Sequence, residues 1–93
     1  MIGEITVIPQ IDGSGREIIR DAVREIEAHG LRYSVGPTGT SVEGPLDGIL
    51  DAVRGIEDGL RDRGIGRATI EVRLQLEPHS ETLEHQVEGI AAG

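Results

Sequence analysis

The residues with the clearest capacity to bind a ligand lie in the segment TGTSVE, which spans residues 38–43. Glu43 carries a carboxylate, which accepts hydrogen bonds from N–H donors and pairs with cations. Thr40 offers a hydroxyl, and Gly39 lets a flat ring approach the backbone closely. The structural alternatives are a solvated carboxylate at a strand end and an ordinary edge strand rich in threonine. These residue types therefore favour binding of a small polar ligand over catalysis.

Two further candidates are an aromatic residue and a loop serine. Tyr33 is the only aromatic residue of the chain, and its ring could stack on a flat ligand or face a cation. Its alternation with Leu31 and Val35 favours instead a core position with the hydroxyl at the margin. Ser14 lies in a turn-rich loop before a predicted helix, where free N–H groups can hold a polar ligand atom. Capping of that helix is the alternative role of Ser14.

Thr6 and Arg73 are expected on the polar side of the predicted sheet. Both could contact a ligand or another subunit there, and Arg73 could instead form a cross-strand ion pair with Glu4. The sequence offers little for other chemistry. It contains no cysteine, and its histidines are scattered, so we expect no metal site, no cofactor and no catalytic residue.

Composition narrows the possible partners and the location. The net charge is −8, from 17 acidic residues and nine basic residues, all of them arginine. This charge disfavours nucleic acid and other polyanions, and it favours neutral or cationic ligands. We see neither a signal peptide nor a run of about 20 apolar residues, so we expect a cytoplasmic protein that does not enter a membrane.

Hydrophobic periodicity divides residues 1–93 into the elements of one domain. Alternating patterns predict strands, spacings of three and four predict helices, and glycine and proline mark the boundaries between them. The strands are predicted at 3–9, 31–35, 38–43 and 67–77, and the helices at 16–29, 45–60 and 80–91. The order βαββαβ with an added C-terminal helix is typical of the ferredoxin-like α+β fold, a four-stranded antiparallel sheet with helices on one face. The other face would be left for a ligand or another subunit, and the small aliphatic core favours self-association.

Several segments resemble the YkoF-like thiamine-binding family of ferredoxin-like proteins. They are the strand end TVIP at 6–9, the stretch SGREIIRDAV at 14–23 and the segment GLRYSVGPTGTSVEG at 30–44, in which the family's Y…GT..EG pattern recurs. Arg67, which opens the last strand, is a further match. The resemblance covers about residues 3–76, and the sequence EPHSE at 77–81 departs from the family's pattern.

The resemblance implies non-catalytic binding of thiamine or of its hydroxymethylpyrimidine half, in the handling of thiamine precursors. It also implies a homodimer or a homotetramer. Glu43 would then accept a hydrogen bond from the aminopyrimidine, with Thr40, Gly39, Tyr33, Ser14 and Thr6 around it. An alternative function on the same fold is an ACT-like regulatory or assembly module for another small ligand. The fold alone does not decide between them.

Overall fold

The computed structural model describes residues 1–13 and 15–76. Ser14 and the helix predicted at 80–91 lie outside the described residues. The elements are β1 (Ile2–Pro9), α1 (Arg16–Ala28), β2 (Arg32–Val35), β3 (Thr40–Glu43), α2 (Leu46–Asp62) and β4 (Ala68–Gln75). The four strands form one antiparallel sheet in the order β2-β3-β1-β4, and this order confirms the predicted ferredoxin-like α+β architecture.

The core lies between the two helices and one face of the sheet. On β1, the alternating residues Ile5 and Val7 are buried, and on β3, Val42 is fully buried opposite Gly3. The helices contribute residues spaced three or four apart, as expected for a stripe that faces a sheet. These helical core residues are Ile18, Ala22 and Ile26 of α1 and Ile49, Ala52, Ile56 and Leu60 of α2.

Glycines end both helices. Gly30 follows α1 with a φ of 72°, and Gly64 follows α2 with a φ of 75°. Side chains other than glycine rarely adopt this left-handed conformation, which ends a helix by redirecting the chain. The position of Gly30, directly after the apolar stripe of α1, also predicts this role from the sequence.

The last strand is located as predicted but is less buried than its sequence suggests. Its apolar residues share one face, yet only Ile70 is partly buried, while Val72 and Leu74 are 36% and 42% exposed. The alternation of Ala68, Ile70, Val72, Leu74 and Leu76 with polar residues predicts one buried face for this strand, and that prediction was wrong. The physical reason is topological: β4 pairs only with β1, at the end of the sheet, and α1 packs on α2, β1 and β2 instead.

Candidate functional site

A cavity of about 270 Å³ opens between α1 and the turn that joins β2 to β3. The side of β1 that faces the helices forms its floor, with Ile5 and Val7. Ile26 of α1 and Val35 of β2 provide further apolar walls, and residues 36–39 form the rim. Among residues 1–13 and 15–76, those that line this cavity include no acidic or basic side chain, so the cavity suits an uncharged ring better than a phosphate.

Thr40 is the distinctive polar residue of this cavity. It is paired with Ile5 in the sheet and is only 6% exposed, which makes it the one buried polar residue among those the structure describes. Within this part of the chain, its hydroxyl has no hydrogen-bond partner. A buried hydroxyl without a partner costs about 1–3 kcal/mol. A ligand that hydrogen-bonds to Thr40 would recover that free energy.

The rim of the cavity is held against β1 by specific contacts. The Thr6 hydroxyl donates a hydrogen bond to the Thr38 carbonyl over 3.0 Å, and the Gly36 N–H donates to the Gly39 carbonyl over 2.8 Å. A Cβ atom added at Gly39 would lie 2.5 Å from the Thr6 Oγ1 atom and 3.2 Å from the Ile5 carbonyl oxygen. A side chain at 39 would therefore displace the Thr6 hydroxyl and crowd the Ile5 carbonyl, because the turn lies directly on the first strand.

Glu43 lies on the opposite face of the sheet from Thr40. Since Val42 points into the core, the next residue faces the open side, as predicted from the alternation of β3. The Glu43 side chain is 17% exposed, and its Oε1 atom lies 3.8 Å from the Arg32 Nη1 atom on the neighbouring strand. The structure therefore does not bring Glu43 and Thr40 together in one pocket of a single chain.

Tyr33 lies on the helix side of β2, opposite Val42, but it does not line the cavity. Its hydroxyl donates a hydrogen bond of 2.8 Å to the Glu27 Oε2 atom. This hydrogen bond, together with the negative charge of Glu27, raises the pKa of Tyr33 above its ordinary value. Tyr33 is 37% exposed, so it is not the core residue that its alternation favoured. It belongs to β2, which is an edge strand of the sheet.

The structure adds site residues that the sequence reading missed. Val35, Pro37 and Thr38 line the cavity together with the predicted residues Thr6, Gly39 and Thr40. The sequence feature that could have located these residues is the Gly36-Pro37 pair. It predicts a turn but does not show what the turn covers. Arg73 lies opposite Glu4 on the open face, in the register expected for a cross-strand pair, and away from the cavity.

A second cavity, between α1 and α2, is less suited to a ligand. It has a similar volume of about 270 Å³, but its rim is charged and already paired. The Arg63 Nε atom donates to the Asp21 Oδ2 atom over 2.7 Å, and the same guanidinium lies 3.7 Å from Glu17. A ligand would have to break these contacts to enter.

The described part of the chain contains neither a candidate metal site nor a candidate membrane-spanning helix. Residues 1–13 and 15–76 hold no cluster of three or more histidine and acidic side chains that could bind a metal ion. No helix in these ranges is long and apolar enough to cross a membrane.

The antiparallel sheet, the two helices on one face and the cavity beneath the β2–β3 turn define a ferredoxin-like domain with a small internal pocket. The chain belongs to the thiamine-binding protein family, whose sequence model matches residues 3–90.

Relatives and solved structures agree with this assignment. The UPF0045 protein CPE1503 of Clostridium perfringens is 25% identical over 84 residues, which cover 89% of this chain and 88% of that protein. A Thermotoga maritima protein, for which a role in thiamine biosynthesis or salvage has been proposed, is 27% identical with a TM-score of 0.83 and 96% of each chain covered. A hypothetical protein of Methanocaldococcus jannascii has the same fold, with a TM-score of 0.83, 24% identity and coverage of 97% of this chain and 94% of that one.

Proposed function

We propose that this protein binds thiamine or its hydroxymethylpyrimidine half, without catalysis, in the cavity between α1 and the β2–β3 turn. The observation that carries the proposal is Thr40, a buried polar residue that lines a largely apolar cavity. Its hydroxyl has no partner within the described residues, and the described residues of the lining carry no charge. Membership of the thiamine-binding family and the proposed salvage role of the Thermotoga maritima protein support this ligand class.

The dimensions of the cavity favour one ring rather than a whole cofactor. Pockets for drug-sized ligands measure about 300–1,000 Å³, so about 270 Å³ suits a single substituted pyrimidine. The ring would lie between Ile5, Ile26 and Val35, and the Thr40 hydroxyl would hydrogen-bond to a ring nitrogen or to the exocyclic amino group. In thiamine, the thiazolium ring would then project past the rim, where the acidic surface of the chain favours a cation.

The other predicted ligand residues take different places in this proposal. Thr6 and Gly39 shape the rim, and Ser14 remains a prediction because it lies outside the described residues. Glu43 and Tyr33 are separated from the cavity. Glu43 could contact a ligand only from the open face, for example a ligand shared with a second subunit.

The described residues of the cavity lining include no acidic, basic or tyrosine side chain. This supports binding without turnover, because general acid–base catalysis needs a titratable group beside the reacting atoms. We further propose that the protein acts as a homo-oligomer in the cytoplasm, in the handling of thiamine precursors.

The test is calorimetric titration of the protein with thiamine and with hydroxymethylpyrimidine. We expect saturable binding that Thr40→Val weakens roughly 3- to 10-fold, the equivalent of one hydrogen bond. Thr69→Val is the matched control, because Thr69 is exposed on the open face of β4. Glu43→Gln is the second comparison and should leave the affinity unchanged.

Three outcomes would contradict parts of this proposal. Binding weakened by Glu43→Gln but not by Thr40→Val would move the ligand to the open face. Chemical alteration of the ligand during prolonged incubation would show that the protein is an enzyme. No binding of either compound would leave a regulatory or assembly module of the ACT type as the better account.

A further inference from the structure

The first strand continues past the end of its partner strand on the cavity side. β1 has eight residues, but its pairing with β3 stops at the pair of Ile5 and Thr40. The same register would next place Thr38 opposite Val7. The Thr38 carbonyl instead accepts a hydrogen bond from the Thr6 hydroxyl over 3.0 Å. Val7 therefore has no strand beside it on that side.

The hydrogen-bond pattern shows that the backbone groups of Val7 point toward this gap. Hydrogen-bonded and non-bonded pairs alternate along an antiparallel ladder, and a bonded residue directs both its N–H and its C=O to the same neighbour. The Gly44 N–H donates to the Met1 carbonyl over 3.0 Å, in the register of β1 with β3. The Gln10 N–H donates to the Arg67 carbonyl over 3.0 Å, in the register of β1 with β4. Odd-numbered residues of β1 therefore bond toward β3, and even-numbered residues bond toward β4.

The N–H and C=O groups of Val7 belong to a buried residue and have no partner. Val7 is 9% exposed, and it lines the cavity. Among residues 1–13 and 15–76, no group forms a hydrogen bond with either of them. Buried backbone groups without a partner are rare in folded proteins, because each costs free energy comparable to a lost hydrogen bond. A molecule that entered the cavity and paired with both groups would remove that cost.

We propose that the Val7 N–H and C=O groups select the ligand by pairing with an adjacent acceptor and donor on its ring, a selection that rests on the proposed function and names the chemical class that the cavity accepts. In a complete sheet, the residue opposite would offer one carbonyl and one N–H. An aminopyrimidine offers the same pair. The Val7 N–H donates to a ring nitrogen, and the Val7 carbonyl accepts from the amino group beside it. The second amino hydrogen is then available to the Thr40 hydroxyl, which lines the same cavity.

The same two groups exclude other ligand classes. A carboxylate or a phosphate presents negatively charged acceptors, which would face the Val7 carbonyl without a proton between them. A ring without the amino group would bury that carbonyl unpaired. Sites built to hydrogen-bond a ligand group reject analogues that lack the group, because the buried polar atoms of the site are left without a partner.

The first test compares two ligands by calorimetric titration of the wild-type protein and of Thr40→Val. One ligand is hydroxymethylpyrimidine, and the other is its analogue in which a methyl group of similar size replaces the amino group. We expect the analogue to bind roughly tenfold more weakly to both proteins. Equal affinities in the wild type would overturn the selection by Val7 and leave the proposed function standing. A preference that disappears in Thr40→Val would assign the selection to the Thr40 hydroxyl instead. No binding of hydroxymethylpyrimidine would overturn the proposed function, and the selection with it.

The second test changes the backbone itself. An ester in place of the peptide bond between Thr6 and Val7 removes the Val7 N–H and keeps every side chain. The matched control is an ester between Glu4 and Ile5, because the Ile5 N–H donates to the Thr40 carbonyl in the ladder. Both esters also weaken one carbonyl that faces β4, so this effect is common to the two proteins.

Thermal unfolding and calorimetry then separate the two esters. Without ligand, the Val7 ester should lower Tm much less than the Ile5 ester, since only the Ile5 N–H has a partner in the free protein. The Val7 ester should bind hydroxymethylpyrimidine roughly tenfold more weakly than the wild type. Equal losses of Tm would show that the Val7 N–H is already bonded, and an unchanged affinity would show that the ligand does not use it. Either result would overturn the proposal.

Discussion

Replacing Thr40 by valine should stabilise the unliganded protein, the opposite of what most core substitutions do. The two side chains have nearly the same shape. Thr40 is only 6% exposed, and the hydroxyl that valine removes has no hydrogen-bond partner within the described residues. Removing the unsatisfied group recovers about 1–3 kcal/mol, and the new methyl adds burial of roughly 0.8 kcal/mol. After allowing for imperfect packing in the cavity, we expect a gain of about 1–2 kcal/mol. For a domain of this size, that gain raises Tm by roughly 4–16 °C.

The assay is thermal unfolding followed by circular dichroism, at one protein concentration, without and then with ligand. Thr40→Val should melt higher than the wild type without ligand and gain less from added hydroxymethylpyrimidine. Thr40→Ser keeps the hydroxyl but loses the methyl group, so it should melt lower and still respond to ligand. Thr69→Val, on the exposed face of β4, controls for the substitution itself. If Thr40→Val melts lower than the wild type, the hydroxyl already has a partner in the free protein and the argument for this site fails.

Three further predictions concern the rim, the tyrosine and a helix end. Gly39→Ala should destabilise the protein by about 1–3 kcal/mol and weaken ligand binding, because the added Cβ would lie 2.5 Å from the Thr6 Oγ1 atom of β1. Denaturant unfolding measures the stability and calorimetry measures the binding. An unchanged unfolding midpoint would contradict the close contact. Tyr33 has a raised pKa, so the stability it contributes is present below its unfolded pKa of about 10 and is lost as the pH rises through its folded pKa. Since it is the only tyrosine, tyrosinate absorbance reports it alone, and Glu27→Gln should lower the titration midpoint; a midpoint that does not move would exclude Glu27 as the cause. Gly64→Ala should lower the free energy of unfolding by about 1 kcal/mol, measured by chemical denaturation, because Gly64 has a φ of 75°. Gly66→Ala is the control and should have no effect, because Gly66 has an ordinary φ and open space around it. Equal effects of the two substitutions would refute the conformational argument.

Some features of this protein follow from short-range patterns in the sequence. The six described elements lie within a few residues of their predicted bounds, because alternation and helical spacing report which side of each element is apolar. The separation of Thr40 from Glu43 was also present in the sequence. Residues three apart on a strand point to opposite faces, so Val42 in the core already places Thr40 beside it and Glu43 on the other side.

Tertiary structure alone decided the burial of β4 and the existence of the cavity. The alternation of β4 is the clearest in the chain, yet Val72 and Leu74 are exposed because that strand is at the sheet edge, and the order of strands is a long-range property. The cavity arises where α1 spans the turn at 36–39, two segments whose separation is set by packing of the whole domain. Local residue types predict the secondary structure, whereas the volume left between elements depends on every contact that holds them apart. For that reason Thr40 could be listed as a ligand residue from its hydroxyl, but only the folded chain places it beside an uncharged space without a hydrogen-bond partner.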